Sequence, residues 1–145
     1  MKERKESLTL KGEKSPSLRD RVRIVLEGMM EGVPGLVATA VVDVETAEVL
    51  AVACRQGGAH DCEMAGMLYT DLVRTQMRIA EGLGEDTITS EILVTTANYH
   101  IILRPVDGLM CYHLAMVEAR HGVGLARCAM ERCEGSLTSV ILGVA

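Results

Sequence analysis

The stretch Glu91 to Ala119 places the tightest limit on how this chain can fold. Three apolar, β-prone runs follow one another in it: Ile92 to Thr96, Tyr99 to Leu103 and Leu109 to Val117. Short turn signals separate them. Asp107-Gly108 is the stronger hairpin signal, because both residues tolerate positive φ, and Ala97-Asn98 is the weaker. Ile101, Ile102 and Leu103 are consecutive, so neither face of that strand reads as solvated. A meander apolar on both faces requires helices above and below it.

The rest of the chain supplies three. Ser15-Pro16-Ser17 opens the first, with Ser17 and Asp20 spaced as a capping box. Leu18, Val22, Val25, Met29 and Val33 then recur at helical spacing, and Gly32 with Val33-Pro34-Gly35 marks the stop. Leu36 to Val42 reads as a strand buried on both faces, joined through Asp43 to Thr46 to a partner, Val49 to Ala53. Asp61 caps a second helix that runs to about Glu81. Its apolar positions, Met64, Met67, Leu68, Leu72, Ile79 and Ala80, spread over more than one stripe. Such a helix is expected to touch both a sheet and a second chain. The third helix is Val123 to Glu134, with Gly135 as its stop, and the apolar tail Leu137 to Ala145 reads as an extra strand or a partner contact. The organisation expected is a flexible charged arm over 1–14, one domain over 15–134 and a tail over 135–145.

Composition excludes several classes. There is no Phe and no Trp, and only three Tyr, which argues against a stacking platform for single-stranded nucleic acid. A net charge of −5 argues against a general duplex-DNA binder. No signal-peptide pattern opens the chain and no apolar run reaches the ~18 residues of a membrane span, so a cytoplasmic protein with reduced thiols is expected. Three Cys and His groupings stand out: Cys54 with His60 and Cys62, Cys111 with His113, and Cys128 with Cys133. None has the paired spacing of a structural zinc site. Cys111 and His113 share a strand face, with His100 expected beside them, and all three read as core or dimer-contact side chains. Gly57-Gly58 lacks the ending of a phosphate loop, and there is no Gly-x-Ser-x-Gly elbow and no defensible carboxylate pair. No catalytic residue, metal or cofactor is expected, and the chain reads as a non-enzyme.

The order helix, two strands, helix, three strands, helix describes an α+β domain. Three local motifs add to it. Met30-Glu31-Gly32-Val33-Pro34-Gly35 leads directly into the strand Leu36 to Val42, Ile92 to Val106 forms a strand-turn-strand, and the last helix opens Val123-Gly124-Leu125-Ala126-Arg127. Over about residues 17 to 134 the chain thereby resembles the Roadblock/dynein light chain family. It departs from the common pattern at Asp43-Val44-Glu45-Thr46, where many members have Asp-Gly, and at His121-Gly122-Val123, where an Asn is frequent.

The resemblance implies a profilin-like α-β-β-α-β-β-β-α fold, with a five-stranded antiparallel sheet ordered 2-1-5-4-3. The middle helix lies on one face and the other two helices on the opposite face. It also implies a homodimer through the third strand and the middle helix, which nominates Glu91, Ile92, Leu93, Val94, Thr95 and Thr96 together with Met67. The residues themselves favour this seam, because Ile92-Leu93-Val94 has no Lys, Pro or bulge signal to blunt a free edge. Family members regulate or scaffold Ras-like small GTPases, which nominates Asp71, Arg74, Thr75 and Arg78 on the middle helix as a partner surface. Arg74 and Arg78 lie one turn apart and are expected to be solvated, so that reversing both charges weakens binding at little cost in stability. A non-catalytic interaction scaffold and a small-ligand sensor with the same fold remain open alternatives.

Overall fold

The computed structural model describes residues 16–55, 59–84 and 89–143. The expected charged arm and the Gly57-Gly58 loop fall outside these residues, as does the His60 side chain.

Helix α1 spans Leu18–Gly32. The Ser17 hydroxyl accepts from the Asp20 amide at 3.1 Å, satisfying one of the free donors of the first turn. Val22, Leu26 and Met29 form its buried face. No basic residue lies in its last turn. Its terminal carbonyls are instead met by Arg55, whose Nη2 donates to Met30 O at 3.0 Å and to Val33 O at 3.3 Å.

Strands β1 (Leu36–Asp43) and β2 (Val49–Cys54) form a hairpin. Its turn works without the Asp-Gly pair. Asp43 Oδ1 accepts from the amides of Glu45 and Thr46, and Ala47 takes the left-handed conformation at φ 65°. Helix α2 spans Ala59–Gly82, and β3 (Ile92–Thr95), β4 (Tyr99–Pro105) and β5 (Cys111–Glu118) form the meander. Thr96 closes the turn at Ala97-Asn98, its amide and hydroxyl both donating to Tyr99 O. Asp107-Gly108 does sit at the centre of a turn, closed by Leu109 N to Val106 O at 3.1 Å. The connection is wider than a two-residue hairpin, and β5 starts at Cys111 rather than Leu109.

All pairings are antiparallel and the strand order is β2-β1-β5-β4-β3. In chain-order numbering this is 2-1-5-4-3, the order the resemblance implies. Side-chain alternation splits the core into two layers. Ala40, Val42, Val49, Ile101, Leu103, Tyr112 and Leu114 pack on one face with Val73 of α2. Val41, Ala51, Cys111, Ala115 and Val117 pack on the other, under α1 and the last helix.

That last helix, α3, spans Gly124–Leu142 and corrects the expected stop at Gly135. A glycine inside a helix costs only about 1 kcal/mol relative to alanine. Continuing the helix buries Leu137 fully and brings Val140 and Ile141 onto the same cluster, at i, i+3 and i+4 spacing. Residues 137–142 are therefore helix packed on the core, not an added strand. Gly143 ends it at φ 76°, its amide donating to Val140 O.

One polar group is sealed in the α1/α3 layer. The Thr39 hydroxyl donates to Leu114 O at 2.8 Å, so His113 Nε2, 2.7 Å from the same oxygen, carries a proton and donates to it. Burial, aided by the Arg104 guanidinium on the neighbouring strand, pushes His113 down to about 4. Its usual value is 6.5. Between those values the unfolded chain binds a proton that the folded chain refuses. Stability is therefore fully present above about pH 6.5 and falls as pH drops toward 4, by roughly 3 kcal/mol at most. Urea titrations across this window should show that loss in the parent chain and a flatter profile in His113→Gln.

Candidate functional site

The two free edges of the sheet are built differently. At β2, the register slips between Val41 and Val42, and Arg19 Nη2 reaches round from α1 to take Val49 O at 3.3 Å. Bulges and capped carbonyls are the ordinary means of blunting an edge. At β3, neither device is present among the described residues. Ile92 to Thr95 pairs with Leu103 to His100 without a slip and carries no charge. Ile92 and Val94 are half-buried on the α2 face, while Leu93 is 42% exposed on the other.

Helix α2 sits off-centre. It packs on β1 and β2, at the far side of the sheet from β3. Gly66 sets this seat, since a Cβ there would lie 3.0 Å from Val42 Cγ2 and 3.3 Å from Val49 Cγ2. The Tyr112 hydroxyl reaches up from β5 to donate to Gly66 O, with the Thr70 hydroxyl 3.1 Å away. Burial pushes the Tyr112 phenol up to about 12, so it remains a neutral donor.

Glu63 marks the flank of α2 nearest the β2 edge, because Arg19 approaches it to 3.9 Å. Tyr69 marks the opposite flank, packing into the cluster that holds Ile92 and Val94. Helical geometry places Leu68, Leu72 and Ile79 on the flank away from Glu63. All three are exposed, with Leu68 at 68%, as are Met64 near the start of the helix and Leu83 just past its end. An apolar stripe of this length, on the flank of α2 that faces the half of the sheet holding β3, is a surface suited to burial against another apolar surface.

The nominated residues distribute unevenly over this geometry. Leu93, Val94, Ile92 and Thr95 form the edge itself. Thr96 is spent closing the β3–β4 turn. Glu91 lies just before the strand, and its carboxylate is held inside the chain. Arg127 of α3 grips both oxygens, with Nε at 3.0 and 2.9 Å and Nη2 at 2.6 Å, and Arg104 Nη1 adds a contact at 3.2 Å. The Arg127 hydrogen bonds hold the Glu91 carboxyl below its usual range, and only 17% of its side chain is exposed. Met67 is exposed but lies toward the Glu63 flank, whereas Leu68 and Leu72 lie on the flank that faces the β3 half of the sheet.

On the nominated partner surface, Asp71 and Arg78 are exposed, and Arg78 Nη2 donates to Thr75 Oγ1 at 3.3 Å. Arg74 is not solvated as expected. Its Nε donates to Val44 O and its Nη2 to Glu45 O, both at 2.7 Å, which ties α2 to the first hairpin turn.

No group of three or more possible metal ligands occurs among the described residues. His113 is committed to Thr39, and His100 pairs with Val117, four residues further along β5. That separation is about 13 Å, so His100 does not lie beside His113 and Cys111. No helix among the described residues is long and apolar enough to cross a membrane.

No protein-family model and no curated protein matches the sequence. Solved structures do. Myxococcus xanthus MglB superposes with a TM-score of 0.72 at 15% identity, over 85% of this chain and 96% of that one. A Roadblock/LC7 domain from Streptomyces avermitilis gives 0.73 at 9% identity, over 83% and 97%. The chain has the Roadblock/LC7 fold. The gliding protein MglB from Thermus thermophilus gives 0.69 at 17% identity, over 94% of this chain and 96% of that one. At these identities the likeness concerns the Roadblock/LC7 architecture, and the site must be argued from this chain's own residues.

Arg74 and Arg78 separate a structural role from a surface one. Arg74→Ala should lower stability by about 1.5–3 kcal/mol, the range for hydrogen bonds made by a charged group. Arg78→Ala should stay within ~0.5 kcal/mol of the parent. Thermal or urea unfolding of the two variants side by side checks this.

Proposed function

We propose that the chain is a homodimeric regulator or adaptor of a Ras-like small GTPase. The observation that carries this reading is the pairing of an unblunted edge strand with an exposed apolar stripe on the neighbouring helix. In the proposed dimer two β3 strands pair antiparallel about a two-fold axis, and the two α2 helices lie on the same face of the joined sheet with their apolar flanks turned toward each other. Each copy then offers the same patch to the other, as an isologous interface requires. Burying Met64, Leu68, Leu72, Ile79 and Leu83 from both copies is worth on the order of 10 kcal/mol, enough to offset a large share of the cost of association.

The fold supports the same reading. It is shared with MglB, one structure of which has a tetrameric arrangement, and the sequence motifs resemble a family whose members act on Ras-like GTPases. The outward surface of α2, with Asp71, Thr75 and Arg78, is left for the GTPase. The mechanism is positional: the dimer holds the GTPase switch loops, and the GTPase supplies the magnesium and nucleotide chemistry. Arg74 belongs to the scaffold of this surface through its bonds to Val44 O and Glu45 O.

Leu68→Asp combined with Leu72→Asp tests both parts. Each position is exposed in the single chain, so the variant should fold with near-parental secondary structure. It should sediment as a monomer, and it should lose any effect of the parent chain on phosphate release by a GTPase captured from source cells. A dimeric variant, or a parent chain that captures no guanine-nucleotide-binding protein, would contradict the proposal.

A further inference from the structure

Val52 packs in the α2-side layer of the sheet, while Ala51 and Ala53 pack in the opposite layer. Strand alternation therefore turns Cys54, the last residue of β2, toward α2. Cys62 lies in the first turn of α2. It is one helical turn before Gly66, whose backbone rests on Val42 and Val49, and its side chain is buried. The Cys54 thiol is a neighbour of the Cys62 thiol. Burial pushes the Cys62 thiol up to about 11, and the neighbouring Cys54 thiol adds to the rise. Cys54 is half-buried where Cys62 is buried, so it is the member of the pair that solvent reaches. Both thiols are free in this structure.

We propose that Cys54 and Cys62 are an oxidisable pair whose disulfide staples the end of β2 to the first turn of α2. Only residues 55–61 separate them in sequence. With hydrogen peroxide as oxidant, the Cys54 thiolate attacks one oxygen, and the O–O bond breaks. Hydroxide leaves, takes up a proton and becomes water. Cys54 is now a sulfenic acid. The Cys62 sulfur then attacks the Cys54 sulfur and gives up its thiol proton. The S–O bond breaks, and the hydroxyl departs with that proton as a second water. The two thiols lose two electrons and the peroxide gains them. Cys62 acts second because it is the protonated, buried partner, and a low thiolate fraction makes a poor first attacker. The staple fixes the start of the helix whose later turns carry the exposed apolar stripe.

Exposed Cys128 is the competing thiol, so the test uses the full chain carrying Cys128→Ser, which leaves four cysteines. After stoichiometric peroxide, free thiols should fall from four to two without a change in oligomeric mass. Trypsin cuts after Arg55, so the disulfide should join the peptides Ile24 to Arg55 and Gln56 to Arg74, the pair being about 2 Da lighter than the sum of its parts. With Cys62→Ser added, no cross-link should form, and Cys54 should go on to the sulfinic acid, about 32 Da heavier. Four surviving thiols, a cross-link to Cys111 or Cys133 instead, or the sulfinic acid on Cys54 while Cys62 is present would overturn the proposal.

Discussion

A five-stranded sheet measures about 19 Å between its outer strands, and one helix with its side chains is about 10 Å wide. Two helices cover such a face and one does not. The α1/α3 face has its two. The opposite face has only α2, seated over β1 and β2 by the close approach at Gly66 and the Tyr112 hydroxyl. The half of that face carrying Ile92 and Val94 is therefore under-covered, and the flank of α2 that looks toward it is apolar. We propose a second copy of the chain, paired through the unblunted edge strand of that half, as the cover. Each feature of the proposed interface follows from that single mismatch of widths.

Guanidinium groups hold the rest in place. Arg55 closes the C-terminus of α1, Arg74 ties α2 to the first hairpin turn, and Arg127 clamps Glu91 at the entry to the edge strand. Each joins two elements distant in sequence, and two of the three end on backbone carbonyls. This matters in a core with few aromatics, where Met and small aliphatic side chains fill the layers and Tyr112 is the one large ring fully buried among the described residues. The Glu91 clamp also sets where the free edge begins: upstream of Ile92 the chain is bound to its own α3 and β4.

The order of elements was legible because the signals are local: strand alternation, the Ser17 cap and the turn at Ala97-Asn98 all lie within a few residues of their effect. The end of α3 was not. Gly135 is a local stop signal, and it is outweighed by the burial of Leu137, a tertiary gain that no window around the glycine reveals. The interaction surface was half legible. The spread of apolar positions on α2 announced a second contact, but which stripe faces outward depends on where the helix sits. That is set by Val42, Val49 and Tyr112 on other strands, and hence Leu68 and Leu72, not Met67, lie on the flank that faces the β3 half of the sheet. Arg74 looked solvated for the same reason, since its acceptors lie about thirty residues away.

The central claim is that β3 is an edge only in the single chain. Alternate amides of Ile92 to Thr95 have no acceptor on β4, so hydrogen exchange at these positions reports directly on whether a second strand is there. At high micromolar concentration the outward amides should be protected to a degree comparable with the inward ones. They should lose that protection, while β1 and β5 keep theirs, as the chain is diluted through its dissociation range. Outward β3 amides that exchange at unprotected rates at every concentration would contradict the account.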